Sequence, residues 1–176
     1  MIDNNSSCYN CREVTGGGLP SIHSYGLAID INPIQNPYIF FEEKDQCSTK
    51  ILPSNGKNYI NRTNTRAGMV ESIVEIFKKN GFTVWGGKWN TPIDWQHFQP
   101  PRPLAQLLAV MSTKDGIEFF EKFAISNKSK IFDEVKATDN KFVELYLKSP
   151  EKFMKIFRSN KKIFSMETTK ALQLFD

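Results

Sequence analysis

Only two histidines occur in the 176 residues, and each sits in a segment rich in groups that do chemistry. The first runs Ser21-Ile22-His23-Ser24-Tyr25-Gly26-Leu27-Ala28-Ile29-Asp30-Ile31-Asn32, where His23 and Asp30 flank a glycine that permits a tight turn. The second runs from Trp85 through Trp89 to Asp94-Trp95-Gln96-His97-Phe98, with an aspartate three residues ahead of the histidine. Two imidazoles and one carboxylate make a three-ligand set, and a second carboxylate beside it can take a proton. That inventory suits a catalytic zinc, which keeps a fourth position open for water and needs a base next to it. His23 and Asp30 are seven apart, a spacing that does not fit one helical face. A ligand on a turn and another on the following strand can still point at one ion. Each histidine alone is equally at home in a polar loop or hydrogen-bonded within a core, and spacing by itself leaves that reading open.

The elements that would position these groups are short. Residues 25–31, 38–41 and 82–85 read as strands bounded by turn residues, and 67–80 as one amphipathic helix with Gly81 just beyond its end. Pro100-Pro101-Arg102-Pro103 marks a boundary, because proline removes donors and turns its predecessor away from helix. Beyond it, residues 104–111, 116–125, 141–148, 150–158 and 168–175 read as helices, and nine of the 14 phenylalanines fall there, at spacings that suit a helical core. The expected fold is therefore α+β: residues 1–99 form a small antiparallel sheet with a packed helix carrying the site, and residues 100–176 an all-helical extension.

Three cysteines, Cys8, Cys11 and Cys47, make an odd count, so they cannot all pair within the chain. Cys8-x-x-Cys11 has the spacing of a zinc knuckle or a redox pair. No second C-x-x-C or H-x-x-x-H supplies the other ligands, and incidental or oxidation-prone thiols are the expected reading. Composition bounds the rest: 40% hydrophobic and 24% charged residues describe a folded chain, and no apolar run approaches the ~18 residues of a membrane span. Net charge is +4, and because residues 1–100 balance their charges, the surplus lies entirely in residues 101–176. No nucleic-acid motif accompanies it, so a solvated helical surface is expected and nucleic acid is not an expected partner. The opening residues, Met1-Ile2-Asp3-Asn4-Asn5, lack the basic start and apolar stretch of a signal peptide.

The pattern Ser21-x-His23-x-x-Gly26-x-Ala28-x-Asp30-x-Asn32, followed by Asp94-x-x-His97-Phe98, resembles the zinc D-alanyl-D-alanine carboxypeptidase family. That family includes vancomycin-resistance D,D-peptidases and phage-endolysin L-alanyl-D-glutamate endopeptidases, and is similar in fold to the Hedgehog signalling domain. The similarity extends through Asn10-Cys11-Arg12, Asn32-Pro33, Asn36-Pro37-Tyr38, Tyr59, Arg62 and Trp85-Gly86-Gly87-x-Trp89, covering nearly all of residues 9–99.

The resemblance implies one zinc ion per chain held by His23, Asp30 and His97, with Asp94 as general base and then general acid. It implies that Arg12 polarises the scissile carbonyl, work that suits a fixed guanidinium. Tyr25, Trp85 and Trp89 are expected either as walls of the substrate cleft or as core. Many relatives carry Glu where this chain has Asp94, and endopeptidase-like relatives share the Asp. Relatives usually have a helix and strand ahead of the segment matching Asn10-Cys11-Arg12. The expected function is hydrolysis of peptidoglycan stem peptides, at D-Ala-D-Ala or L-Ala-D-Glu. The alternative is a non-catalytic zinc-binding module for wall peptides or a protein partner. The substrate implies a periplasmic or wall-associated location, or release by a holin, with a cytoplasmic recycling role as the other expectation.

Overall fold

Short apolar runs punctuated by Gly, Pro and Asn produce correspondingly short strands. The structure, a computed structural model, describes residues 2–15, 17–41, 49–126 and 130–176; Cys47 lies outside them. Among these are strands β1 (Ile29–Asp30), β2 (Tyr38–Phe41), β3 (Thr49–Leu52), β4 (Val84–Trp85), β5 (Ile93–Asp94) and β6 (His97–Gln99). They form two three-stranded antiparallel sheets, ordered β1-β6-β4 and β3-β2-β5. In the first, β6 is central, with Asp30 opposite His97 and both Ile29 and Trp85 opposite Phe98. In the second, Ile39 lies between Ile51 and Ile93, while Tyr38, one residue earlier and so on the other face, lies between Leu52 and Asp94.

The expected strand over 25–31 is mostly a turn. Ile22–Tyr25 is a 3-10 helix whose N-cap, Ser21, accepts from the His23 N–H, and Gly26 closes it with φ 69°. Only Ile29 and Asp30 pair as a strand. The expected helix over 67–80 is likewise shorter: α1 spans Val74–Lys79 after a 3-10 turn at Glu71–Ile73. Its first half is diverted because Gly68 takes φ 87° and the Val70 N–H donates to Asn36 Oδ1 at 3.0 Å. At its end Gly81 is left-handed, φ 89°, and the Phe82 N–H donates to the Phe77 carbonyl at 3.0 Å, the closing bond of a Schellman motif. Phe77 stacks on Phe98, centroids 4.3 Å apart, which seats α1 against β6.

Asn36, fully buried, holds these turns together. Its Nδ2 donates to the carbonyls of Ile31, Asn32 and Gly68, and its Oδ1 accepts from Val70 N–H and Arg62 Nη2. Arg62 also forms a forked pair with Glu71 and lies 4.8 Å over the Trp95 ring.

After the proline cluster come α2 (Arg102–Val110), α3 (Thr113–Ile125), α4 (Lys141–Lys148), α5 (Pro150–Ser159) and α6 (Thr168–Leu172). Ser112 and Ser149 cap α3 and α5, their hydroxyls accepting from Asp115 N–H and Lys152 N–H, and Pro150 starts α5 where its missing donor costs nothing. Phe119, 1% exposed, is ringed by Phe132, Phe153, Phe157 and Phe164 with centroids 4.6–6.4 Å away. The helical phenylalanines thus form a core. The chain divides into two compact units, residues 1–78 with 82–99, and residues 79–81 with 100–176. No helix among the described residues is long and apolar enough to cross a membrane.

Candidate metal centre

Three elements deliver one cluster. The Ile22–Tyr25 turn carries His23, β1 carries Asp30, and β6, paired to β1 with the two residues directly opposite, carries His97. Their potential ligand atoms all lie within 4.8 Å of one another, and all three residues are buried. His97 Nδ1 is 3.0 Å from Asp30 Oδ1, and His23 Nε2 is 3.2 Å from Asp30 Oδ2.

The outward nitrogens decide what the inward ones offer. His23 Nδ1 lies 2.7 Å from the Cys8 carbonyl, which only accepts, so Nδ1 carries the hydrogen and Nε2 keeps its lone pair. His97 Nε2 lies 2.7 Å from Gln99 Oε1, an arrangement that puts the hydrogen on Nε2 and leaves the Nδ1 lone pair facing Asp30. Two imidazole nitrogens and a carboxylate therefore converge, with His97 Nδ1 and Asp30 Oδ1 close enough to hold one hydrogen between them when no metal is bound. His23 Nε2 makes no aligned hydrogen bond at all, despite its approach to Asp30. A buried set of acceptors is stable only around a cation, and two nitrogens with one carboxylate is a donor set that zinc accepts. The residues fit a metal.

The titration behaviour follows from the same crowding. Burial pushes the Asp30 carboxyl up, but the His23 and His97 imidazoles at its oxygens outweigh that and hold it at about 2. Burial pulls His97 down, and its hydrogen bond to Asp30 and the charge of Asp94 more than compensate, so it titrates above its ordinary value. In the absence of metal, His97 therefore keeps a proton to higher pH than a free imidazole does.

Asp94 lies on β5, 9% exposed, and its Oδ1 has no hydrogen-bond partner. Burial raises its carboxyl to about 6, with His97 opposing and Asp30 adding to the rise. It thus lies in the electrostatic field of the cluster without belonging to it. Gly86 makes this possible: a Cβ there would meet the Asp94 carbonyl at 2.5 Å and its Cβ at 2.9 Å.

Arg12 is exposed, and its main chain is latched to the His23 turn. Its N–H donates to Ser24 Oγ, the same hydroxyl donates to the Arg12 carbonyl at 2.7 Å, and Ser21 N–H donates there as well. Trp89 leans over His97, centroids 5.4 Å apart, and so borders the cluster. Trp85 uses its indole N–H on the Trp95 carbonyl and stacks on Phe98, which makes it scaffold. Tyr25 ends the His23 turn, half-buried. Cys8 and Cys11 are both free thiols; it is the Cys8 carbonyl that serves the site.

Two contributors escaped the sequence reading. Gln99 follows His97 by two residues in a strand, so the period-2 rule places it on the same face, a signal that was available. Cys8 acts through its main chain, which leaves no mark on residue type.

Residues 15–100 match the model of a family described as D-alanyl-D-alanine carboxypeptidase. The matched stretch contains His23, Asp30, Asp94 and His97 and stops short of Arg12. No curated protein and no solved structure matches the chain.

Proposed function

Since residues 15–100 match the model of a family described as D-alanyl-D-alanine carboxypeptidase, we propose that this protein is a zinc peptidase that hydrolyses peptidoglycan stem peptides, at D-Ala-D-Ala or L-Ala-D-Glu. The observation that carries the reading is the set of three buried ligands converging within 4.8 Å, with a partnerless carboxylate oxygen in their field. His23, Asp30 and His97 hold the ion. When bound, zinc supplies Lewis acidity, which makes a water easier to deprotonate and a carbonyl easier to attack.

The chain's own groups do the rest. Asp94 accepts a proton from the attacking water as the new C–O bond forms, and its free Oδ1 is the atom available to receive it. It then gives that proton to the leaving amine as the C–N bond breaks, and the second water proton also ends on the amine, leaving a carboxylate and an ammonium group. Burial raises the Asp94 carboxyl above the ordinary carboxylate range in the metal-free site, which favours a group that returns the proton it takes. Arg12, whose main chain Ser24 holds beside the His23 turn, turns its guanidinium from the Glu13 carbonyl it bonds at 2.9 Å to the substrate carbonyl oxygen as charge develops there. Trp89 covers the His97 side and limits water access. The substrate places the working location outside the inner membrane.

The test is to incubate the zinc-loaded protein with peptidoglycan and soluble stem peptides and identify fragments by mass spectrometry, with His97→Ala alongside. Release of D-Ala, or of peptides beginning at D-Glu, by the parent alone is the expected result and names the bond. A folded protein that holds one zinc and releases neither would overturn the peptidase reading in favour of a binding module.

A further inference from the structure

Tyr38 has no role in the catalytic scheme above, yet the register of the second sheet sets it beside that scheme's proton carrier. Tyr38 on β2 is the cross-strand partner of Asp94 on β5, so both side chains stand on the same face. The opposite face carries the core, where Ile39 is 7% exposed. On the Tyr38 face, Asp94 is nearly covered, Tyr38 is half-buried, and Leu52 beyond it is 47% exposed. The surface therefore opens outward from Asp94 across the phenol.

The surroundings of the phenol set what it can do. Burial and the Asp94 charge raise its pKa above the ordinary value, so it stays a donor at any working pH, while the Arg12 charge acts on it in the opposite direction. Asp94 Oδ1 takes no hydrogen bond from it. A protonated phenol in the fields of both the proton carrier and the arginine, on the same sheet face as Asp94, is placed to serve a substrate oxygen.

We propose that Tyr38 is a further catalytic residue of this site, donating a hydrogen bond from its phenol to the substrate carbonyl oxygen as that oxygen gains charge. Tyr38 and Arg12 then approach the developing oxyanion as a neutral donor and a charged one, and the phenol contributes mainly in the transition state, where the oxygen is most negative. No proton leaves the phenol, so the proton balance remains that of Asp94. The inference rests on the peptidase reading.

The experiment compares the parent with Tyr38→Phe, each zinc-loaded, using the cleaved stem peptide and a phosphinate analogue of the scissile dipeptide as probes. Tyr38→Phe is expected to lower kcat about 10- to 100-fold with KM within about twofold. It should weaken phosphinate binding, measured by calorimetry, by a similar factor. Zinc content and the tryptophan-detected melting point should stay at the parent values, which separates this role from a structural one. Unchanged kcat and phosphinate affinity in Tyr38→Phe, with an active parent, would overturn the role of Tyr38 and leave the peptidase reading standing. A parent that neither cleaves nor binds phosphinate would overturn both.

Discussion

At the scale of single residues, the proposed metal centre is one that protons and a metal ion would compete to fill. His97 must shed its proton to act as a ligand, and Asp30 and Asp94 hold that proton on it more tightly than water would. Apparent zinc affinity should therefore fall as pH drops through the raised His97 titration, by up to about tenfold per pH unit for one displaced proton. Competition against a chromophoric chelator at a series of pH values measures this, and an affinity flat with pH would contradict it. Asp94 is separable from the ligands: Asp94→Asn should keep one zinc per chain and lose about 10²- to 10⁴-fold in kcat, read by metal analysis and turnover together. The same residue leaves a signature in the metal-free protein. Its carboxyl titrates at about 6 when folded against 3.8 for an unperturbed one, so the folded state binds the proton more tightly. Stability from this group is full below about 4 and is lost as pH rises towards 6, at most on the order of 1 kcal/mol per pH unit. Denaturant titrations of the metal-free parent should show that decline, and Asp94→Asn should flatten it.

At the scale of elements, short strands place the chemistry because their partners fix them. β1 is two residues long and would not persist alone, yet pairing with β6 sets Asp30 opposite His97, and an antiparallel bridge from Ser7 covers its other edge. The Trp85-Gly86-Gly87 segment acts in the same way on β5. Gly86 packs directly on the Asp94 main chain, so Gly86→Ala would force β5 and Asp94 to shift. We expect Gly86→Ala to cost about 1–3 kcal/mol in denaturant unfolding and to lower kcat beyond what the lost stability explains, because a misplaced proton carrier slows the reaction. A variant with parental kcat would show that Asp94 does not depend on this contact. The shortened α1 shows the reverse case: Met69 and Val70 keep helical spacing in sequence, but a side chain far along the chain, Asn36, takes the Val70 N–H first.

At the scale of the whole molecule, the residue types are partitioned in a way that makes the two units separately observable. Trp85, Trp89 and Trp95 all lie in the unit that holds the metal cluster, while the helical unit has a phenylalanine core without tryptophan. Tryptophan fluorescence thus follows the metal-binding unit alone. Zinc in 100-fold excess over its dissociation constant should stabilise that unit by about 2.7 kcal/mol, and a chelator should reverse the shift. A tryptophan-detected melting point indifferent to zinc would mean that the cluster is not closed by the ion.

What the sequence determined by itself was chemical identity and local geometry. His23, Asp30, Asp94 and His97 could be named from residue type and spacing together with the family resemblance, and the helices after Pro103 from their apolar period and their serine caps, because these depend on interactions within a few residues. Tertiary structure alone decided the convergence of His23 and Asp30 with His97, 67 residues beyond Asp30. It alone decided the tautomers set by the Cys8 carbonyl and Gln99, the assignment of Trp85 to the scaffold and Trp89 to the metal side, and the pairing of Tyr38 with Asp94. Each of these depends on strand register or on main-chain groups, and main-chain groups are the same at nearly every position. A sequence records which side chains are present, but the electrostatic field each one meets is set by neighbours that only the folded chain brings near.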